Sequence, residues 1–376
     1  MQCLSFIMKK KVCVFTSSRA DYNLLKPTLI KIRDSTCLDL QFIVTGSHLL
    51  SEYGNTSEII VKDFNITRYM HLNSYCDKSS CITRIIGNEI IDCSDIFEDI
   101  KPDILLLLGD RFEMLAPAIV ATIFSIPIIH LCGGDITLGS YDDYIRNTIT
   151  MLADVHFPTS EDAAHRIQNF GKNKIIIAGH PCLEYLTNLY FYDQKEIELR
   201  LKIKFSNTNL LIVYHPETIS KNSCLCNTQN IINFINKIKN LDISIFLIGS
   251  NIDTDNKIIN TLFQELAMFC QNIYYFISLE QDLFLSLAKN CQIYLGNSSS
   301  GIYELPYIIP AIINVGKRQY GRLLASNILE SDIKTEDLYN AFLKAQDPDF
   351  INKPVIYKYL SFDTSNIIYN YIINHY

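Results

Sequence analysis

The stretch GNSSSG, Gly296 to Gly301, ends the apolar run CQIYL and leads into residues of helical character. Two glycines bracket an amide and three hydroxyls. Such a turn at the start of a helix offers backbone N–H groups, hydroxyl donors and the positive end of a helix dipole, all suited to a phosphate or diphosphate. The bland alternative is an N-cap with extra serines. No GK[ST] follows, so the stretch is not a P-loop. Ser298, Ser299 and Ser300 are its candidate donors. Glu304, a little further on, can accept from ribose hydroxyls or stand as a solvated helix residue. One apolar run later, VGKRQYGR carries Arg318, and near the N-terminus TSSRADY opens a helix with Arg19. Both arginines suit a phosphate, and each could equally be an ordinary surface cation.

A second chemistry is written in carboxylates. LLLLGDRFEML sets Asp110 and Arg111 directly after a wholly apolar run, where charge is costly unless paired or used. IIHLCGGDITLGSYDDYIRN then brings Asp135, Asp142, Asp143, Arg146 and Asn147. Carboxylates crowded at neighbouring strand ends repel, which raises some pKa values and separates an acid from a base. Turn and N-cap roles are the alternative, and Asp142 fits them. LIVYHPET places His215 at another strand end, as a phosphate donor or an acid, against the commoner packing histidine. The HExxH, GxGxxG and Ser-His-Asp elbow patterns are absent.

These clusters need strand ends to hold them. Short apolar runs recur, each stopping in a polar turn: KVCVFTSSR, LQFIVTGSH, DILLLLGDR, IPIIHLCGGD, VHFPTS and KIIIAGHP, then LLIVYHPE, ISIFLIGSN, NIYYFIS, CQIYLGNSSS and AIINVGKRQ. Runs apolar on both faces suggest parallel strands covered on both sides. Helix-length segments such as DRFEMLAPAIVATIFS and NTQNIINFINKIKN separate them, which gives βαβ units. The pattern is six strands, a break at about residues 185 to 205, and five more. We read an α/β chain of two Rossmann-like domains, residues 1–188 and 189–355, with ligand at the carboxyl ends of the strands in an interdomain cleft. Residues 356–376 read as a helix packing back on the first domain or on a partner.

Composition bounds the partners. The chain has 376 residues, 48% hydrophobic and 19% charged, which fits a globular protein of two ordinary domains. Its formal charge is 33 − 40 = −7, which speaks against nucleic acid or an anionic membrane as partner. Twelve cysteines are scattered, the tightest pair being Cys224 and Cys226, so reduced thiols are expected rather than disulfides or a metal site. No apolar run approaches the roughly 18 residues of a membrane span. The apolar part of MQCLSFIMKKKVCVF is too short for a secretory signal. A cytoplasmic enzyme is the reading.

Together RADY, GSHLLSEYGNT, GDRFEML, GGD…YDDYIR, HPET, IGSNID and GNSSSG…E…NVGKRQYGR resemble the hydrolysing UDP-N-acetylglucosamine 2-epimerases of sialic acid biosynthesis. The likeness runs in uninterrupted order from Val12 to about Leu329. It implies a GT-B fold, no nicotinamide cofactor, no metal, and a homodimer or homotetramer. It implies conversion of UDP-GlcNAc and water to N-acetylmannosamine (ManNAc) and UDP through a glycal. Carried over by motif, Arg19, Arg111, His215, Asn251, Ser298, Ser299, Glu304 and Arg318 hold the nucleotide and diphosphate. Asp110, Asp135, Asp142 and Asp143 surround the sugar and Arg146 supports them. Two positions depart from the pattern: many relatives have glutamate at Asp135, and histidine at Asn147. Three alternatives compete with this reading: the same chemistry on a diacetamido-6-deoxy sugar nucleotide of the legionaminic acid pathway, a non-hydrolysing epimerase, and a GT-B glycosyltransferase or inactive nucleotide-sugar binder.

Overall fold

A strand with helices on both faces has no polar side to show, so its sequence is continuously apolar. Ile104–Leu108 is the purest case, ILLLL with every residue buried. The structure, a computed structural model, describes residues 9–50, 56–72, 78–138, 140–217, 223–250, 255–359 and 363–376. It divides into two units, one of Met1–Asp135, Asp142–Thr187 and Tyr359–Tyr376, the other of Ile136–Tyr141 and Asn188–Lys358.

The first unit carries strands β1 (Lys10–Thr16), β2 (Leu38–Val44), β3 (Arg68–Tyr69), β4 (Ile104–Leu108), β5 (Ile128–Leu131) and β6 (Val155–Phe157). The second carries β7 (Thr208–Val213), β8 (Ile243–Ile248), β9 (Ile273–Phe276), β10 (Ile293–Gly296), β11 (Ala311–Val315) and β12 (Ile328–Ser331). Their orders are β3-β2-β1-β4-β5-β6 and β12-β11-β10-β7-β8-β9, which is one topology read from opposite edges. All pairings are parallel. Strand order reverses beside β1 and β4 in one unit, and beside β7 and β10 in the other. Doubly wound sheets take ligands at the carboxyl side of such points.

Three expectations about strands change. β3 and β12 escaped the reading because an edge strand is covered on fewer sides and loses the apolar run: both residues of β3 are exposed, and none of β12 is fully buried. KIIIAGHP forms no strand. It makes one isolated bridge, Ile175 to His156, beside the three-residue β6. Its Ile177 is left 44% exposed, so an apolar run here does not mean burial on both faces.

The C-terminal helix Thr364–His375 belongs to the first unit. Ile368 and Ile372 are buried in one cluster with Leu25 and Leu29 of the helix Arg19–Arg33. Thr364 Oγ1 donates to the Ala178 carbonyl at 2.8 Å, and the Ser365 amide donates to Glu184 Oε2 at 2.8 Å. Cys81 is disulfide-bonded, against the expectation of reduced thiols throughout. Among the described residues, no helix is long and apolar enough to cross a membrane.

Candidate active site

In the first unit β4 gives way to Gly109, whose φ of +81° turns the chain. Asp110 follows at that strand end. Arg146 lies on the helix Asp142–Leu152, its side chain 1% exposed and ion-paired to Asp110. Its Nη1 also donates to the Asp135 carbonyl at 2.8 Å and to Asp143 Oδ1 at 3.3 Å. Asn147 Nδ2 donates to the other Asp143 oxygen at 3.1 Å. The spacings of three and four residues put both donors on the helix face of Asp143. Burial opposes charge on Arg146, but Asp110, Asp135 and Asp142 outweigh it and raise the pKa. The crowding expected from four carboxylates is thus met by one buried cation. Asp135 is 3% exposed, and both of its oxygens lie within 3.2 Å of Thr159 Oγ1.

The same unit holds a second network that the sequence reading did not single out. Asp21 is the third residue of the helix Arg19–Arg33 and closes a capping box with Ser18. Its carboxylate accepts from the Ser17 amide at 3.0 Å, from Ser17 Oγ at 2.8 Å, and from Thr16 Oγ1. Thr16 Oγ1 lies 3.0 Å from His48 Nε2, and His48 Nδ1 lies 2.6 Å from Thr56 Oγ1. Burial raises the Asp21 pKa, yet hydrogen bonds from His48, Thr16 and Ser17 bring it below the ordinary value. Ser17 Oγ in turn accepts from Arg111 Nε at 3.1 Å, while Glu113 takes Arg111 Nη2 at 2.8 Å. Arg19 is half-buried at the opening of the same helix. Glu89, beside Glu113, has its pKa pushed up to about 9, first by burial and then by that neighbouring charge.

In the second unit the turn after β10 is built on close approaches. A Cβ on Gly296 would sit 2.0 Å from the Val213 carbonyl oxygen, and one on Gly301 would sit 2.6 Å from the Tyr294 ring. The helix expected after the serines is a single turn, Ser300–Tyr303, followed by a 3-10 turn at Leu305–Tyr307. Pro306 cannot extend it. The Ser298, Ser300 and Gly301 amides go to Tyr294 OH (3.2 Å), Ser298 Oγ (3.4 Å) and the Ser298 carbonyl (3.1 Å). Three of the turn's amides are thus engaged within it and only one helical turn lies behind them, so side-chain hydroxyls and arginine are what the turn chiefly offers an anion. Ser299 is exposed, and Ser300 Oγ donates to Ser298 Oγ at 3.1 Å.

His215 follows β7, with Nδ1 3.0 Å from Ser250 Oγ. Arg318 Nη1 donates to the Asn297 carbonyl at 3.2 Å. Glu217 of the HPET motif accepts from the Lys317 amide at 2.6 Å, and Gly316, at φ +71°, leaves room for it. Burial pushes the Glu304 pKa up to about 7, and Gln281 Nε2 donates to its carboxylate at 3.2 Å. Asn251 lies outside the described residues. Among the described residues, no group of three or more His, Cys, Asp or Glu is placed to hold a metal ion.

The profile of the family described as UDP-N-acetylglucosamine 2-epimerase matches residues 30–372. The chain belongs to that family. It is 34% identical over 348 residues to the GDP/UDP-N,N'-diacetylbacillosamine 2-epimerase (hydrolyzing) of Campylobacter jejuni, covering 91% of this chain and 89% of that one. It is 31% identical over 348 residues to the polysialic acid biosynthesis protein P7 of Escherichia coli, covering 91% and 88%. The solved UDP-GlcNAc 2-epimerase of Methanocaldococcus jannaschii, in complex with UDP-GlcNAc and UDP, superposes with a TM-score of 0.81 at 16% identity, covering 97% and 99%. The fold is that of these GT-B-like epimerases, two parallel six-stranded sheets with helices. Asp21, His48, Glu217 and Asn297 sit inside motifs quoted for the resemblance, so a signal for them existed. Gln281 had none.

Proposed function

We propose that the chain is a hydrolysing 2-epimerase of a UDP-linked 2-acetamido sugar. The observation that carries this reading is the group of carboxylates held by buried Arg146, because a C2 epimerisation needs proton-exchanging groups with fixed positions. A carboxylate takes the C2 proton. The C1–O bond then breaks, its electron pair leaving with UDP, and a C1=C2 glycal remains. Water adds hydroxide at C1 and a proton at C2 on the other face. Asp110 and Asp143, with side chains 26% and 14% exposed, are the proton-moving pair in this reading. Asp135, at 3%, orients them through Arg146. Ser298, Ser300, His215 and Arg318 of the second unit hold the diphosphate in this reading as charge develops on it. Glu304 accepts from the ribose.

Two sugars compete. UDP-GlcNAc gives ManNAc for sialic acid synthesis. The 34% identity to a diacetylbacillosamine enzyme favours UDP-N,N'-diacetylbacillosamine instead. The reading also implies a cytoplasmic homodimer or homotetramer, which sedimentation of the purified protein checks. NMR of the protein with each sugar nucleotide in D2O tests the chemistry. Free sugar carrying deuterium at C2, beside UDP, supports it, and the larger kcat/KM names the substrate. Release of a UDP-linked epimer would make the enzyme non-hydrolysing. No turnover of either sugar nucleotide would overturn the reading.

A further inference from the structure

We propose that Asn297 is a positioning residue that locks His215 and Arg318 into one rigid unit, so that the leaving diphosphate meets both at fixed places. The inference rests on the reading of the second unit as the diphosphate half of the site. Asn297 is fully buried, so it acts through its neighbours rather than on a ligand. The last register pair of β7 and β10 is Val213 with Gly296. Asn297, one residue on, continues the pairing with its side chain. Oδ1 accepts from the His215 amide at 2.7 Å, and Nδ2 donates to the His215 carbonyl at 2.8 Å. This closed pair can form only with a group that donates and accepts from one planar head, which an amide does and a carboxylate does not. The Asn297 amide donates to the Val213 carbonyl at 3.2 Å.

The Asn297 carbonyl faces the other loop. It accepts from Arg318 Nη1 at 3.2 Å and from buried Gln319 Nε2 at 2.9 Å. One residue therefore uses every polar group it has to tie the turn after β7 to the turn after β11, across the strand between them. With the His215 main chain fixed, Ser250 needs only one bond to set the ring. Buried groups that are bonded on all sides resist displacement, because any movement strands several of them at once.

The test uses the full chain and UDP, with affinity read by calorimetry per folded molecule. Asn297→Asp keeps the shape but sets an oxygen against the His215 carbonyl, and UDP affinity is expected to fall roughly tenfold or more. Coupling is the decisive readout. Arg318→Ala should weaken UDP binding strongly in the wild type and much less in the Asn297→Asp background, since the arginine is already misplaced there. If the two losses multiply independently, or if Asn297→Asp lowers the melting temperature while leaving UDP affinity intact, Asn297 is merely structural and the proposal is overturned. Should Asn297→Asp fail to fold, Gln319→Leu loosens the same carbonyl from the other side. A severalfold weaker UDP affinity supports the lock, and unchanged affinity sinks it. Wild type that binds no UDP would instead remove the functional reading beneath.

Discussion

At the scale of single residues, burial decides which charges are paired and which are neutral. Arg146 is the clearest case, 1% exposed and shared by Asp110, Asp143 and the Asp135 carbonyl. Arg146→Met removes the buried cation from between the partly buried Asp110 and Asp143 and from the Asp135 carbonyl, with a stability loss of about 3–5 kcal/mol. Chemical denaturation should show it, and turnover should fall by roughly a hundredfold as the carboxylates lose their fixed geometry. Glu89 behaves oppositely. Its folded pKa of about 9 lies above the ordinary glutamate value, so the folded state holds a proton that the unfolded chain has lost. Stability is then intact below roughly pH 4 and declines as pH rises towards 9. Glu89→Gln should be more stable than wild type near pH 8 and should lose that margin near pH 4, as melting curves across pH would report. Equal curves would mean that Glu89 is ionised and paired. The sequence made Asp110 and Arg111 legible because charge beside an apolar strand needs a reason, while the supporting role of Arg146 came from the resemblance. It could not show Glu89 meeting Glu113, since a helix and a distant strand end must first be folded together.

Among the elements, the central strands were legible and the edges were not. β4 is apolar throughout and β8 in all but Ser244, and every residue of both is buried because both faces are covered, whereas β12 is only partly buried. The serine turn was legible as a feature, but its helix is one turn long, with Pro306 following in a 3-10 turn. Its first glycine is demanded by a close approach rather than by a backbone angle. Gly296→Ala places a methyl 2.0 Å from the Val213 carbonyl oxygen, which belongs to the neighbouring strand and cannot step aside cheaply. A loss of about 1–3 kcal/mol is expected from such overpacking, measurable by urea denaturation. Gly87 supplies the control. It lies in the helix Ser79–Ile100, and a methyl added there would meet nothing within 4 Å, so Gly87→Ala should gain about 0.5–1 kcal/mol.

For the whole molecule, the chain order and the spatial order part company at the end. Residues after Lys358 return to the first unit, and the helix Thr364–His375 completes its core. The apolar tail NIIYNYIINHY announced a buried face, but only the fold shows which helix it covers. Ile368 and Ile372 sit with Leu25 and Leu29, and Leu25 and Leu29 belong to the helix that begins with Arg19 and carries Asp21. The core that seats this helix is therefore completed by residues far from it along the chain. Ile368→Ala should cost about 2–5 kcal/mol, because it opens a cavity in a fully buried position. The loss belongs to one core. The second unit has its own, built on Ile212, Phe234 and Ile245. Hydrogen exchange reads the difference directly: amides of Arg19–Arg33 should lose protection in Ile368→Ala, while those of the helix Cys224–Ile238 keep theirs. Equal loss in both helices would mean that the two cores unfold as one.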